Sequence, residues 1–243
     1  MHSNIKLAEI QASCRQCTLS ELCLPRGLTE EELNDLEEVV DRQAPIDKNQ
    51  YLYRNGDKFK SFFAVKSGAL KSVFTSVDGE EQIVGFHLPG ELVGLDGLNT
   101  KRHTCDCIVL ERSSVCELPS IRMEELCQRY SSLHRAMHSI IGKTISEDQS
   151  MLLLLARRSA EERLASFLSS LSQRSQLRGI SGSEFDMPMS MRDIANYLGL
   201  APETLSRLVK KFDKTGVASI DKRRAIILSH DRLNAMVADY KQR

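Results

Sequence analysis

MRDIANYLGLAPETLSRLVKKF, residues 191–212, reads as two short helices crossing at a tight turn. A large side chain at the crossing would hold the helices apart, and the sequence places Ala195 there. Four residues on, Gly199 meets the turn's need for positive φ, where a Cβ would clash. Leu205 returns an apolar contact to the first helix. Pro202 suits the first turn of the second helix, where a missing N–H costs nothing. Glu203, Ser206 and Arg207 then fall at i, i+3 and i+4 and share the outward face. This is the pattern of a helix-turn-helix. Arg207 can pair bidentately with guanine O6 and N7, and Glu203 can accept from a cytosine amino group. Ser206 suits a thymine or a phosphate, and Lys210 and Lys211 follow where phosphates would lie. Asp221-Lys222-Arg223-Arg224 would form a wing against the backbone. An ordinary helical hairpin with a surface Glu203–Arg207 pair has no need of the Ala, Gly and Leu together.

Charge agrees with that placement. Ser190–Arg243 holds 11 Lys/Arg against 6 Asp/Glu, a local balance of +5 on a chain whose net charge is zero. A basic C-terminal part on a neutral chain suits a module that meets phosphate while the remainder does something else. A chain of 243 residues is long enough for two cores. The longest apolar run, Met151–Ala156, is far too short to span a bilayer. The start, MHSNIKLAEIQ, has no basic-then-apolar secretion pattern, so the cytoplasm is expected.

Upstream, Thr29-Glu30-Glu31-Glu32 before Leu33 and Leu36 reads as an N-capped helix. From about Pro45 to Pro119, short β-rich runs alternate with turn signals: Asn55-Gly56-Asp57, Ser67-Gly68, Asp78-Gly79 and Pro89-Gly90. The spacing predicts a sandwich or double-stranded jelly roll. Helical spacing then runs from Ile121 to Leu177, interrupted only by Gly142. The expected fold is α+β, with four segments. These are a cysteine-bearing lead (1–28), a β-roll sensor (29–130), a long dimerisation helix (131–158) and a winged helix-turn-helix (159–243).

Within the long helix, His134, His138, Ile141, Ile145, Asp148, Leu152 and Leu155 recur in steps of four and three, the a/d seam of a coiled coil. A helix packed only on its own domain would also show apolar spacing, but reading an inverted repeat takes two copies. In a two-fold dimer Asp148 faces its own copy. Two carboxylates ~6 Å apart at an effective dielectric of ~20 repel by about 3 kcal/mol.

The chain has seven cysteines, and without a secretion signal they do not form a disulfide framework. Cys14, Cys17 and Cys23 gather three thiols in the lead. With a fourth from elsewhere they suit a cubane iron–sulfur cluster; by spacing alone, structural zinc is equally open. Cys105, Cys107, Cys116 and Cys127 read individually as small buried hydrophobes.

The stretches CRQCTLSELCLP (14–25), VKSGALKS (65–72), EEQIVGFHLPGELVGLDG (80–97), SSVCELP (113–119), DQSMLLLLARRSAEERLASF (148–167) and NYLGLAPETLSRL (196–208) together resemble the Crp/Fnr superfamily, and within it the Fnr/Anr group. The resemblance covers nearly the whole chain. It implies a [4Fe-4S] cluster on Cys14, Cys17, Cys23 and Cys116, which oxygen converts to [2Fe-2S]. It further implies an anaerobic homodimer on TTGAT-N4-ATCAA-type sites, which activates or represses through RNA polymerase. The E-x2-S-R readers of the group fall on Glu203, Ser206 and Arg207, its seam aspartate on Asp148, and its polymerase-contacting loop on about Ser76–Glu81. Thr18 and Leu22, beside the ligands, are expected to tune oxygen access. His134 and His138 depart from the Arg or Met common in relatives, and the stretch around Cys105 and Cys107 matches the group poorly.

Two other readings use the same residues. Gly90-Glu91-Leu92 resembles the start of a cyclic-nucleotide phosphate cassette, but Lys101-Arg102-His103-Thr104 stands where Arg-Ser/Thr-Ala should follow, so no cyclic nucleotide is expected. His87 and Glu91 would begin a cupin-like metal site, yet no further ligand completes it at recognisable spacing, and no enzyme is expected.

Overall fold

The computed structural model describes residues 13–24 and 26–238, so residues 1–12 and Pro25 of the lead and residues 239–243 lie outside the described part. The chain divides into two compact units, Met1–Ile145 and Ser146–Arg243.

In the first unit, a 3-10 turn at Cys14–Gln16 precedes helix α1 (Glu30–Val39). Thr29 Oγ1 accepts from the Glu32 N–H, and the Glu32 carboxylate accepts from the Thr29 N–H at 2.7 Å. The expected cap is thus a full capping box that meets two otherwise orphaned donors. Strands β1 (Asp41–Arg42), β2 (Tyr51–Tyr53), β3 (Ser61–Thr75), β4 (Glu81–His87), β5 (Leu92–Val93) and β6 (Asp106–Pro119) follow, with the short helix α2 (Gly97–Thr100) before β6. Every pairing is antiparallel. β3 pairs with β4, β5 and β6, while β6 also carries β1 and β2. Two long strands thus organise the roll. Its interior packs Tyr53, Val65, Leu70, Val93, Cys107, Val109 and Val115.

One expected turn is corrected. Ser67-Gly68 does not end a strand; β3 runs through it with register shifts on either side. Gly68 leaves room for the Ser113 side chain, whose Oγ accepts from the Ala69 N–H at 3.0 Å. An isolated glycine in a β pattern marks a bulge as readily as a turn, and here the bulge bends a long strand. The Asp78-Gly79 hairpin forms as expected, with Ser76 N donating to Glu80 O at 2.9 Å.

Helical spacing from Ile121 to Leu177 resolves into three helices rather than one run. Helices α3 (Ser120–Arg129) and α4 (Ser131–Arg157) are separated at Tyr130, which turns extended while its hydroxyl reaches the Asp35 carboxylate at 2.7 Å. Ser159 then starts helix α5 (Ala160–Leu177) with its own capping box to Glu162. A cap and a tertiary bond break a helix without Gly or Pro, and apolar periodicity does not register either.

A second core in the first unit joins the roll to the helices. It contains Leu24, Leu36, Val39, Phe62, Ala64, Leu118, Met123, Leu133 and Met137. The lead, α1, the roll and the first turns of α4 therefore share one packed cluster.

The second unit completes α5 with β7 (Glu184–Asp186), α6 (Met191–Tyr197), α7 (Pro202–Lys214), β8 (Ala218–Asp221), β9 (Arg224–Ile227) and α8 (His230–Ala238), the strands ordered β7-β9-β8. Leu164, Phe167, Leu168 and Leu171 of α5 are buried, as are Leu205, Leu208 and Phe212 of α7. Among the described residues, no helix is long and apolar enough to cross a membrane.

Candidate functional site

The reading face is built by the burial of its opposite side. Ala195 and Leu205 are each 1% exposed, so α6 and α7 meet through a small residue and a leucine. Gly199 adopts φ 61° at the turn, and Pro202 occupies the first turn of α7 after the extended Ala201. With Leu205, Leu208 and Phe212 turned inward, Glu203, Ser206 and Arg207 stand exposed together on the other side. None of the three has a hydrogen bond or ion pair among the described residues, so their polar groups are available to a partner.

The accompanying basic residues divide. Lys210 is exposed, but Lys211 pairs with Glu161 of α5. In the wing, Arg223 donates to the carbonyls of Met187 at 3.3 Å and Pro188 at 3.0 Å, and Arg224 pairs with Glu184. Lys222, at φ 51° in the β8–β9 turn, is left to project. Residues 221–224 form the tip of the β8–β9 hairpin, where Lys222 projects and the exposed Arg223 and Arg224 also pair within the unit.

The seam of α4 separates from its core face. Leu133 and Met137 are buried in the first unit, whereas His134, His138, Ile145, Asp148 and Leu152 are exposed on the single chain. Ile145 is 52% and Leu152 70% exposed, an uncovered apolar stripe in which Ile141 and Leu155 are half-buried. Packing on its own domain therefore accounts for one face of the helix and not for the seam. The His134 and His138 rings meet edge to face at 4.2 Å, and His138 Nδ1 lies 3.0 Å from the His134 carbonyl. Asp148 is exposed as a residue, yet partial burial of its carboxyl already holds it above the usual carboxylate range.

In the first unit Cys14, Cys17, Cys23 and Cys116 line one cavity, whose apolar walls are Leu19, Leu24, Leu36, Val40 and Leu118. Cys116 reaches it from β6, where it pairs with Arg42 of β1 and Ala64 of β3. The Cys14 backbone N–H donates to Glu37 Oε2 of α1 at 2.8 Å. Burial, reinforced by Glu37, pushes the Cys14 thiol up to about 12, and burial does the same to Cys23. Burial also raises Cys116, with Lys66 and Arg42 opposing. Among the described residues no three His, Cys, Asp or Glu are arranged to hold a single metal ion. Four thiols in one apolar enclosure are the donor set that an iron–sulfur cluster takes.

The remaining candidates have local partners. Ser72 Oγ and His87 Nε2 are 2.7 Å apart, and Glu91 accepts from the Leu88 N–H at 2.9 Å. Cys105 and Cys107 are buried in the roll, as their default reading required, while Cys127 is half-buried.

A model described as a cyclic nucleotide-binding domain matches residues 44–130, and one described as a Crp-like helix-turn-helix domain matches residues 162–236. The transcriptional activator protein anr of Pseudomonas aeruginosa is 44% identical over 237 residues, 97% of each chain. The fumarate and nitrate reduction regulatory protein of Salmonella typhimurium is 41% identical over 223 residues, 92% of this chain and 89% of its own. The chain belongs to the Crp/Fnr superfamily. Its structure is similar to that of FixK2 from Bradyrhizobium japonicum, with a TM-score of 0.73 and 26% identity over 79% of this chain and 95% of that one. It is a DNA-binding transcription regulator and not an enzyme.

As a Crp/Fnr regulator it uses the cassette-like Gly90 for packing. A Cβ there would stand 2.9 Å from Leu22 Cβ, so the lead lies directly on the roll at this glycine. Gly90 also holds φ 93°, which a side chain tolerates poorly. Gly90→Ala is expected to loosen the lead and to cost roughly 1–3 kcal/mol. Thermal unfolding, with protease sensitivity around Leu22, would measure it; an unchanged lead would contradict the contact. Glu37 and Arg42 are the site residues that spacing missed. Nothing in the sequence pairs a two-residue strand with Cys116, and only the sheet register does so.

Proposed function

We propose that this regulator responds to oxygen through a [4Fe-4S] cluster held by Cys14, Cys17, Cys23 and Cys116. The observation that carries the proposal is the convergence of these four thiols on one cavity within the core that also packs α4. Held by these four thiolates, the cluster would supply the sensitivity to oxygen. The chain's own residues provide the coupling. On one side α1 holds Cys14 through Glu37; on the other it holds the start of α4 through Glu32–Ser132 and Asp35–Tyr130. Ordering the lead thereby steadies the helix whose seam, Ile141, Ile145, Asp148, Leu152 and Leu155, joins two copies. Glu203, Ser206 and Arg207 of each copy would read one half of an inverted TTGAT-N4-ATCAA-type repeat in the cytoplasm. The β3–β4 turn, with Val77 fully exposed, would meet RNA polymerase for activation, and occupancy of a promoter would repress. The division of labour follows the segments 1–28, 29–130, 131–158 and 159–243.

The test is the visible spectrum of protein prepared without air, followed as air is admitted alongside binding to a duplex carrying the repeat. A brown chromophore should bleach as DNA is released. Colourless protein that binds DNA equally with and without air would refute the proposal. Arg207→Gln should weaken binding to the repeat by about 1–3 kcal/mol, with little effect on a duplex altered at the contacted guanine. Equal losses on both duplexes would show that Arg207 contacts the backbone instead.

A further inference from the structure

Arg42 lies at the edge of the thiol site, and its partners there leave one buried donor over. Register places it directly across from Cys116. Its Nη2 lies 4.0 Å from Cys14 Sγ and pairs with the Glu37 carboxylate. Its Nε is buried and has no hydrogen-bond partner among the described residues. A buried donor left unmade costs ~1–3 kcal/mol, more when it is charged. An ion pair joining β1 to α1 needs only one edge of the guanidinium, and this pairing leaves Nε over. The surrounding thiols are poor acceptors while protonated.

We propose that Arg42 is a positioning residue of the thiol site, supplying the cationic, hydrogen-bonding face against a bound iron–sulfur cluster. The inference rests on the cluster reading above. Four thiolates around a [4Fe-4S] core of charge 2+ leave a net charge of 2−, and burying it beside apolar Leu24, Leu36 and Leu118 is costly without a counter-charge. Two cations stand near the thiols, Lys66 in the cavity lining and Arg42 beside Cys14, and of these Arg42 is the one with an unmade buried donor. Glu37, being anionic, orients Arg42 and holds the Cys14 backbone. Hydrogen bonds and positive charge at the sulfurs raise a cluster's reduction potential and slow the loss of iron. Arginine suits the position better than lysine, because its rigid fork engages Glu37 and the sulfurs together while remaining charged.

The experiment compares the full-length parent with Arg42→Met and Arg42→Lys, loaded with iron and sulfide without air. The readouts are the midpoint potential and the rate at which iron passes to a chelator. Arg42→Met should take up the cluster, show a lower potential and lose iron about 10-fold faster. Arg42→Lys should fall between it and the parent, since it restores charge without the fork. A purely structural ion pair would instead lower the melting temperature of the iron-free protein while leaving the potential and iron-loss rate of loaded protein unchanged. That result in Arg42→Met, or in Arg42→Lys should the methionine variant fail to fold, overturns the inference. A parent that takes up no cluster overturns the cluster reading, and this inference with it.

Discussion

Replacing Asp148 with alanine is expected to tighten the iron-free dimer by about 100-fold. The seam around it is an exposed apolar stripe, and Ile145 and Leu152 are uncovered on the single chain. On the proposed seam, two copies would bury that stripe only by bringing the two Asp148 carboxylates together, at a cost of about 3 kcal/mol by Coulomb's law, roughly two powers of ten in association. Partial burial already raises the carboxyl's pKa on one chain, and facing its own copy would raise it further. A carboxyl whose pKa is higher in the dimer favours the dimer as pH falls through that pKa and opposes it as pH rises. Sedimentation of the iron-free parent should therefore show association strengthening on acidification, while Asp148→Ala is tight throughout and loses that dependence. A variant that associates no better than the parent would remove the repulsion from the account.

Cys116→Ala is expected to abolish stable iron binding while leaving the roll folded. Cys116 is half-buried between Ala64 of β3 and Arg42 of β1, where alanine fits the strand. On the proposed ligand set, losing it would withdraw the thiolate that the roll contributes. Visible absorbance and iron content should fall to background, and binding to the inverted repeat should no longer differ with and without air. Cys107→Ala is the contrasting case. Cys107 is fully buried in the other core, so its loss should cost stability and leave iron content unchanged. Should Cys116→Ala retain the parent's iron, the ligand set would have to be drawn differently.

How legible each part was depends on how local its physics is. The helix-turn-helix was legible residue by residue. Its requirements are a small residue at a crossing, positive φ at one turn and an apolar contact one helix away, all within Met191–Phe212. The Thr29 cap and the Asp78-Gly79 hairpin were legible for the same reason: each closes a bond within a few residues. The helix breaks at Tyr130 and Ser159 fall at the expected segment boundaries, but apolar spacing alone runs through both. One depends on a tyrosine reaching Asp35, and the other on a capping box inside a continuous apolar pattern. Ser67-Gly68 misled because a glycine serves a bulge and a turn equally, and the choice lay with Ser113 on β6.

The basic wing shows the same divide. Composition counts Arg223 and Arg224 as free charge, but the sheet β7-β9-β8 brings Glu184 and the Met187 and Pro188 carbonyls to them. At the cysteine site, local order in the chain set three thiols in the lead, and their joining with Cys116 came from a resemblance rather than from spacing. The surroundings of the site, Arg42 opposite Cys116, Glu37 bonded to the Cys14 backbone and Leu22 on Gly90, come from strand register and tertiary packing. Periodicity, caps and turns are properties of consecutive residues and can be read along the chain. Charge pairing and enclosure depend on residues that meet only when the sheet closes, so the chemistry of the site belongs to the fold.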